Sequence, residues 1–187
     1  MGSRGAWVDE SVRTGNVPMY LLGATAMYQA DREAVLDAMA LLAPVGKKLH
    51  WRDLGDKGKA DVMDRIASLS LHHVVVVGVP LTGIRQERAR GLCFERLMWE
   101  LDQMSVSSVV FESRSGSQDR QDQRRVDGLR SRGIIGPEIR AEWRAGLTDP
   151  RLWVADAIVG AVGDARASGA ILDRRLADCI IQIDVDL

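Results

Sequence analysis

The chain has 187 residues, 46% of them apolar and 27% charged, with 25 basic side chains against 26 acidic ones for a net charge of −1. That balance belongs to an ordinary globular domain and excludes disorder as the main state, while near-neutral charge excludes a global field aimed at a polyanion. Roughly 100 to 200 residues make one domain, so a single one spanning residues 1–187 is expected.

In chain order, residues 5–10 and 18–27, the second holding YLLGATA, are apolar runs on either side of SVRTGN, whose Gly15 and Asn16 form turns, and they read as a hairpin. Residues 31–43 carry Val35, Leu36, Met39 and Leu42 at helical spacing behind Asp31, and Pro44 with Gly46 should end that helix. KKLHW reads as a short strand, and residues 57–69 repeat the helical period. The four valines of HHVVVVGVPL predict a strand buried on both faces. From Ile84 to about Met104 a long helix is expected with Ala89, Leu92, Cys93, Leu97 and Leu101 inward. SSVVFE is another buried strand, followed by a polar helical stretch to about Arg132. Pro150 starts the helix RLWVADAIVGAV, and CIIQIDVDL alternates as a half-exposed strand. The order predicts an α/β fold with a mixed sheet and helices on both faces, its polar functional groups gathered where strands end.

The opening MGSRGAWVDES has no apolar signal-peptide core, and no stretch reaches the roughly 18 apolar residues of a membrane span. Cys93 and Cys179 lack metal-type spacing and are too few for a disulfide framework. A cytoplasmic protein is expected. The 21 Arg against 4 Lys fit either phosphate recognition or coding bias.

Walker, GxGxxG, HExxH, CxxC and GxSxG motifs are absent. What remains is three carboxylates in apolar surroundings: Asp9 after Trp7 and Val8, Glu112 ending VVFE, and Asp156 inside LWVADAIVGAV. Burying a lone carboxylate is costly without a partner or a cation. Three of them suggest a shared divalent ion, Mg²⁺ or Mn²⁺, which takes hard oxygen ligands. Gly160 and Gly163 lie one and two turns beyond Asp156 on its face, leaving room for a close approach. The plainer alternatives are that Asp9 ends a strand, that Glu112 pairs with Arg114 and that Asp156 bridges to an arginine.

AWVDES, YLLGATA, KKLHWRDL, VVFESRS and LWVADAIVGAV together resemble the bacterial domain-of-unknown-function family 3800, over about residues 6–165. The resemblance implies an RNase H-like fold and a metal-dependent nuclease acting on DNA or RNA. Asp9 matches the first-strand aspartate, Glu10 the second acid of the opening motif, and Asp156 the aspartate of the last helix. Glu112 stands where the family usually has Asp, and Val12 where a glycine commonly follows the serine. The implied chemistry is phosphodiester hydrolysis with one or two ions. Lys47, Lys48 and Arg52 would hold phosphates, and His50 would shuttle a proton. Residues 113–132, with Arg114 and Arg120 among six arginines, would lead a strand toward the metal, or form a plain solvated helix. Trp51 and Trp143 are the stacking candidates, and Trp99 and Trp153 the core ones. Two rivals are a catalytically silent RNase H-like module that binds nucleic acid or a protein partner in a mobile-element or defence locus, and a hydrolase of small phosphate esters.

Overall fold

The computed structural model describes residues 2–43 and 46–187. Six strands, β1 (Arg4–Arg13), β2 (Met19–Tyr28), β3 (His72–Val79), β4 (Val106–Glu112), β5 (Arg140–Arg144) and β6 (Ile180–Asp186), form one sheet in the order β5-β4-β1-β2-β3-β6. β1–β2 and β2–β3 pair antiparallel, while β1–β4, β4–β5 and β3–β6 pair parallel. The helices are α1 (Arg32–Ala40), α2 (Asp56–Ala67), α3 (Gln86–Gln103), α4 (Gly116–Ser131), α5 (Leu152–Ser168) and the single turn α6 (Arg174–Ala177). None of them is long and apolar enough to cross a membrane.

Strand alternation builds a core on each face. Trp7, Leu21, Val75 and Val77 meet α5 and α2 on one side; Val8, Tyr20, Leu22, Val74 and Val76 meet α3 and α4 on the other. The valine run of β3 therefore feeds both layers, as its sequence predicts. α5 is almost wholly buried from Leu152 to Gly163. It rests on β2 at Gly23, where a Cβ would collide with the Val159 side chain.

Several expectations are corrected. KKLHW is no strand: residues 47–50 are irregular and lead into a 3-10 turn at Trp51–Asp53. α1 already ends at Ala40, and the break expected at Pro44 lies outside the described residues. Within α3, Leu92 is exposed and Phe94 takes the inward place, stacking on Phe111 at 5.0 Å. β5 is an addition to the expected strands: its five residues alternate three charged side chains with Ala141 and Trp143, too short and too charged a run to stand out as a strand.

On the α3–α4 side, Arg90 donates through Nη2 to Asp122 at 2.7 Å and reaches Glu10 and Tyr20 through Nη1. Arg114 and Arg125 also donate to Asp122, at 3.1 and 2.5 Å. Burial pushes the Asp122 carboxyl up, but these guanidinium groups, Arg90 first, outweigh it and hold it below the usual range. A depressed carboxylate contributes stability that is present above the unfolded value, near pH 4, and is lost as pH falls through the lower folded one. Asp122→Asn should therefore cost about 3 to 5 kcal/mol at pH 7, with the gap to wild type narrowing in acid. Urea unfolding at both pH values measures this, and equal stability at pH 7 would refute it.

Candidate metal centre

Asp9 and Glu112 meet because β1 and β4 are parallel neighbours. Val8 is in register with Phe111, so the next residues, Asp9 and Glu112, lie side by side where the β1–β4 ladder ends, at the last residue of β4 and the middle of β1. Both share the face of Trp7 and Val110, the one that α5 covers. Asp156 comes from α5, one turn before the Val159 that sits over Gly23, and Gly23 is the register partner of Asp9 on β2. The packing that presses α5 onto the sheet thus brings the third carboxyl to the other two.

The segment before α2 closes this end. Trp51 packs against Gly160, where a Cβ would clash with its ring. Its indole N–H donates to Asp164 Oδ2 at 2.8 Å, and its backbone N–H donates to Asp156 Oδ2 at 2.8 Å. Arg13 approaches Gly163 and pairs with Asp164 at 2.9 Å. The small-residue face beyond Asp156 thus receives a tryptophan and an arginine of the chain itself. So anchored, the segment carries Lys48 inward: its Nζ donates to Glu112 Oε1 and Oε2 at 2.6 and 2.5 Å and lies 3.8 Å from Asp9 Oδ2.

The result is a groove of about 410 Å³ lined by Asp9, Lys48, His50, Arg52, Glu112 and Asp156, among others. Burial, and then the neighbouring Glu112 charge, push the Asp9 carboxyl well above its usual range despite Lys48; Asp156 adds to the effect. Burial likewise raises Asp156, against the opposing Trp51 N–H, Lys48 and His50. Lys48 is the ammonium set against the three carboxyls, while Arg13, His50 and Arg52 line the groove farther out, so the negative surplus is local to the carboxyls. A divalent cation with oxygen ligands matches that surplus in charge and in donor type. Among the described residues, no three acidic, histidine or cysteine side chains come close enough to enclose an ion as they stand; Lys48 lies between the carboxyls.

Other expected site residues are placed differently. Glu10 points to the opposite face, where Tyr20 and Arg90 hold it. Arg114 turns to that same side, bound to Glu87 at 2.6 Å and to Asp122. Glu112 pairs with Lys48 and not with Arg114. Lys47, Arg52 and Arg120 are exposed, and α4, which carries Arg120, packs on the face away from Asp9. The tryptophans partly exchange roles: Trp51 is 5% exposed and structural, whereas Trp99 is 41% exposed. Trp153 is buried as expected, and Trp143 stacks on Phe111 at 5.6 Å. The structural tasks of Trp51 and Asp164 leave no local signal in the sequence, because each depends on a partner more than a hundred residues away.

No family model matches the sequence, and no curated protein does. Solved structures do resemble the fold. RNase HII in the PCNA:RNase HII complex from Archaeoglobus fulgidus aligns with a TM-score of 0.61 at 13% identity, over 93% of this chain and 83% of that one. The ribonuclease H2 of Pyrococcus horikoshii OT3 gives 0.57 at 15%, over 94% and 84%. Bst-RNase HIII in complex with Mn²⁺ gives 0.55 at 14%, over 92% of this chain but 57% of that protein. At such identities the likeness speaks for architecture alone: the chain has an RNase H-like α/β fold.

Proposed function

We propose that this protein is a divalent-metal-dependent nuclease, with Asp9, Glu112 and Asp156 holding Mg²⁺ or Mn²⁺, and that it belongs to the bacterial family 3800 its motifs resemble. One observation carries the reading: three carboxyls from β1, β4 and α5 gather at one end of an RNase H-like sheet with more negative charge than Lys48 offsets. A bound divalent ion supplies Lewis-acid activation of water and charge neutralisation at the scissile phosphate. The chain's own groups do the rest. Lys48 supplies positive charge to the carboxyls and moves aside toward a phosphate oxygen, Lys47 and Arg52 meet the backbone at the groove's mouth, and His50 carries a proton at its lining. Glu10, turned to the other face, supports β1 through Arg90 and Tyr20 in place of a ligand role.

The rival reading, a catalytically silent module that binds nucleic acid or a protein, is favoured by the contact of Lys48 with Glu112 and Asp9. Calorimetric titration with Mn²⁺ separates the two. Wild type should bind, Asp156→Asn should bind much less, and Lys48→Met should bind about tenfold more tightly, roughly 1.4 kcal/mol of relieved competition. Identical heats from wild type and Asp156→Asn would remove the metal site. Cleavage of DNA or RNA in Mn²⁺ should vanish in Asp9→Asn.

The charge surplus has a second consequence, for stability. A carboxyl raised on folding opposes the folded state once pH exceeds its unfolded value. Without metal, Asp9→Asn should therefore melt above wild type at pH 7, by about 2 to 4 °C for about 1 kcal/mol, and the difference should shrink as pH falls and Asp9 takes up its proton. A lower Tm for Asp9→Asn throughout would contradict the surplus.

A further inference from the structure

On the face that carries Asp9 and Glu112, α5 lies mainly over β1 and β2. The edge strand β5 is left open there, with Arg140 and Glu142 exposed, while on β4 Val110 is covered and Ser108 and Glu112 are half-buried. Parallel register sets Arg140 beside Ser108 and Arg144 beside Glu112, so a row of positions runs away from the carboxyl centre along β4 and β5. Four strand residues separate its ends, on the order of 13 Å.

Arg32 enters this row from the first residue of α1. A cation is disfavoured at a helix N-terminus by the helix dipole, yet this one is held in place: its Nη2 donates to Ser108 Oγ at 3.2 Å, and its guanidinium lies 5.2 Å from the Trp7 ring. Arg151 takes up the same ring at 4.8 Å. Arg32 has no carboxylate within ion-pair distance among the described residues, and its buried Nε has no hydrogen-bond partner. Glu142 pairs with Arg144 at 2.7 Å, and Asp149 with Arg144 and Arg151 at 3.1 and 2.7 Å. Arg32, Arg140, Arg144 and Arg151 therefore face two carboxylates. Burial and the positive charges of Arg151 and Arg144 depress the Arg32 pKa, against Glu142.

We propose that this arginine-lined β5 edge and its border with β4, through Arg32, Arg140, Arg144 and Arg151, seat the phosphates of a nucleic-acid strand whose path leads to the Asp9–Glu112–Asp156 centre. The inference rests on the nucleic-acid reading above and deepens it by naming the track. Among the described residues no aromatic ring is offered to bases on this face: Trp7 is buried beneath the guanidinium groups, and Trp143 stacks on Phe111 toward the other core. Recognition is thus of the backbone and independent of sequence. The track also replaces the route through Arg114 and α4, which the ion network holds on the opposite face.

Fluorescence anisotropy of a short labelled single-stranded DNA, and of the RNA of the same sequence, tests the track in EDTA between about 50 and 200 mM salt. Arg32→Gln and Arg140→Gln should each weaken binding of both probes and flatten the plot of log K against log salt by about 0.7 for each phosphate that is no longer neutralised. Arg120→Gln should leave both quantities unchanged. Arg140 is exposed, so its variant keeps the test valid even if Arg32→Gln disturbs packing on Trp7. Unchanged slopes in both variants, or weakening confined to Arg120→Gln, overturn the track. Wild-type cleavage in Mn²⁺ alongside unchanged slopes would sink the track and spare the nuclease; altered slopes without any cleavage would do the reverse.

Discussion

The tight seating of α5 on β1 and β2 is the constraint from which the rest of this end of the molecule follows. Glycine at 23 lets Val159 reach the sheet, and glycine at 160 lets Trp51 lie on the helix. Asp156 sits one turn before both contacts on the same helix. Bulkier residues at either place would lift the helix or the overlying segment, and the third carboxyl would leave its neighbours. Hydrophobic contact thereby does electrostatic work: a well-packed apolar helix forces like charges together where water is scarce, and a buried charge finds relief only in a partner or a cation.

The two faces of the sheet handle charge in opposite ways. On the α3–α4 side, Glu10, Glu87 and Asp122 are met by Arg90, Arg114 and Arg125, and the network is closed upon itself. On the α5 side, acid is in surplus at the strand ends, and base is in surplus along β4 and β5. Interiors tolerate balanced networks and expel unbalanced ones, so imbalance that survives folding is a physical marker of a surface made to meet something else.

Much of this architecture is legible in the chain. The valines of β3, the apolar face of α5 and the alternation of β6 announce their elements because burial repeats with the period of the backbone. The same logic picks out Asp9, Glu112 and Asp156, acids interrupting apolar runs, and the structure brings their elements to one end of the sheet. What stays hidden is pairing at a distance. Nothing near Lys48 says that its ammonium lies between Glu112 and Asp9, and nothing near Arg114 says that it turns toward Asp122. β5 escapes because its alternation spans only five residues, three of them charged, with Ala141 and Trp143 alone on the apolar face. Trp51, flanked by charge, looks free to stack on a base, yet its ring packs on Gly160, far along the chain.

Asp9 and Glu10 are neighbours in the chain and strangers in space, one facing α5 and the other facing α3, because successive strand residues point to opposite sides. Such an arrangement leaves β1 no freedom of phase. Loss of a single residue between Arg4 and Asp9 would set Glu10 at the groove and Asp9 in the apolar place of Val8, and gain of one would send Asp9 to Arg90 and Val8 to the groove, either change turning Trp7 and Val8 inside out. Changes of length can be absorbed only in the turn at residues 14–18 and in the connections beyond it, and the spacing from Trp7 to Glu10 constrains this fold more tightly than the identity of any one side chain within it.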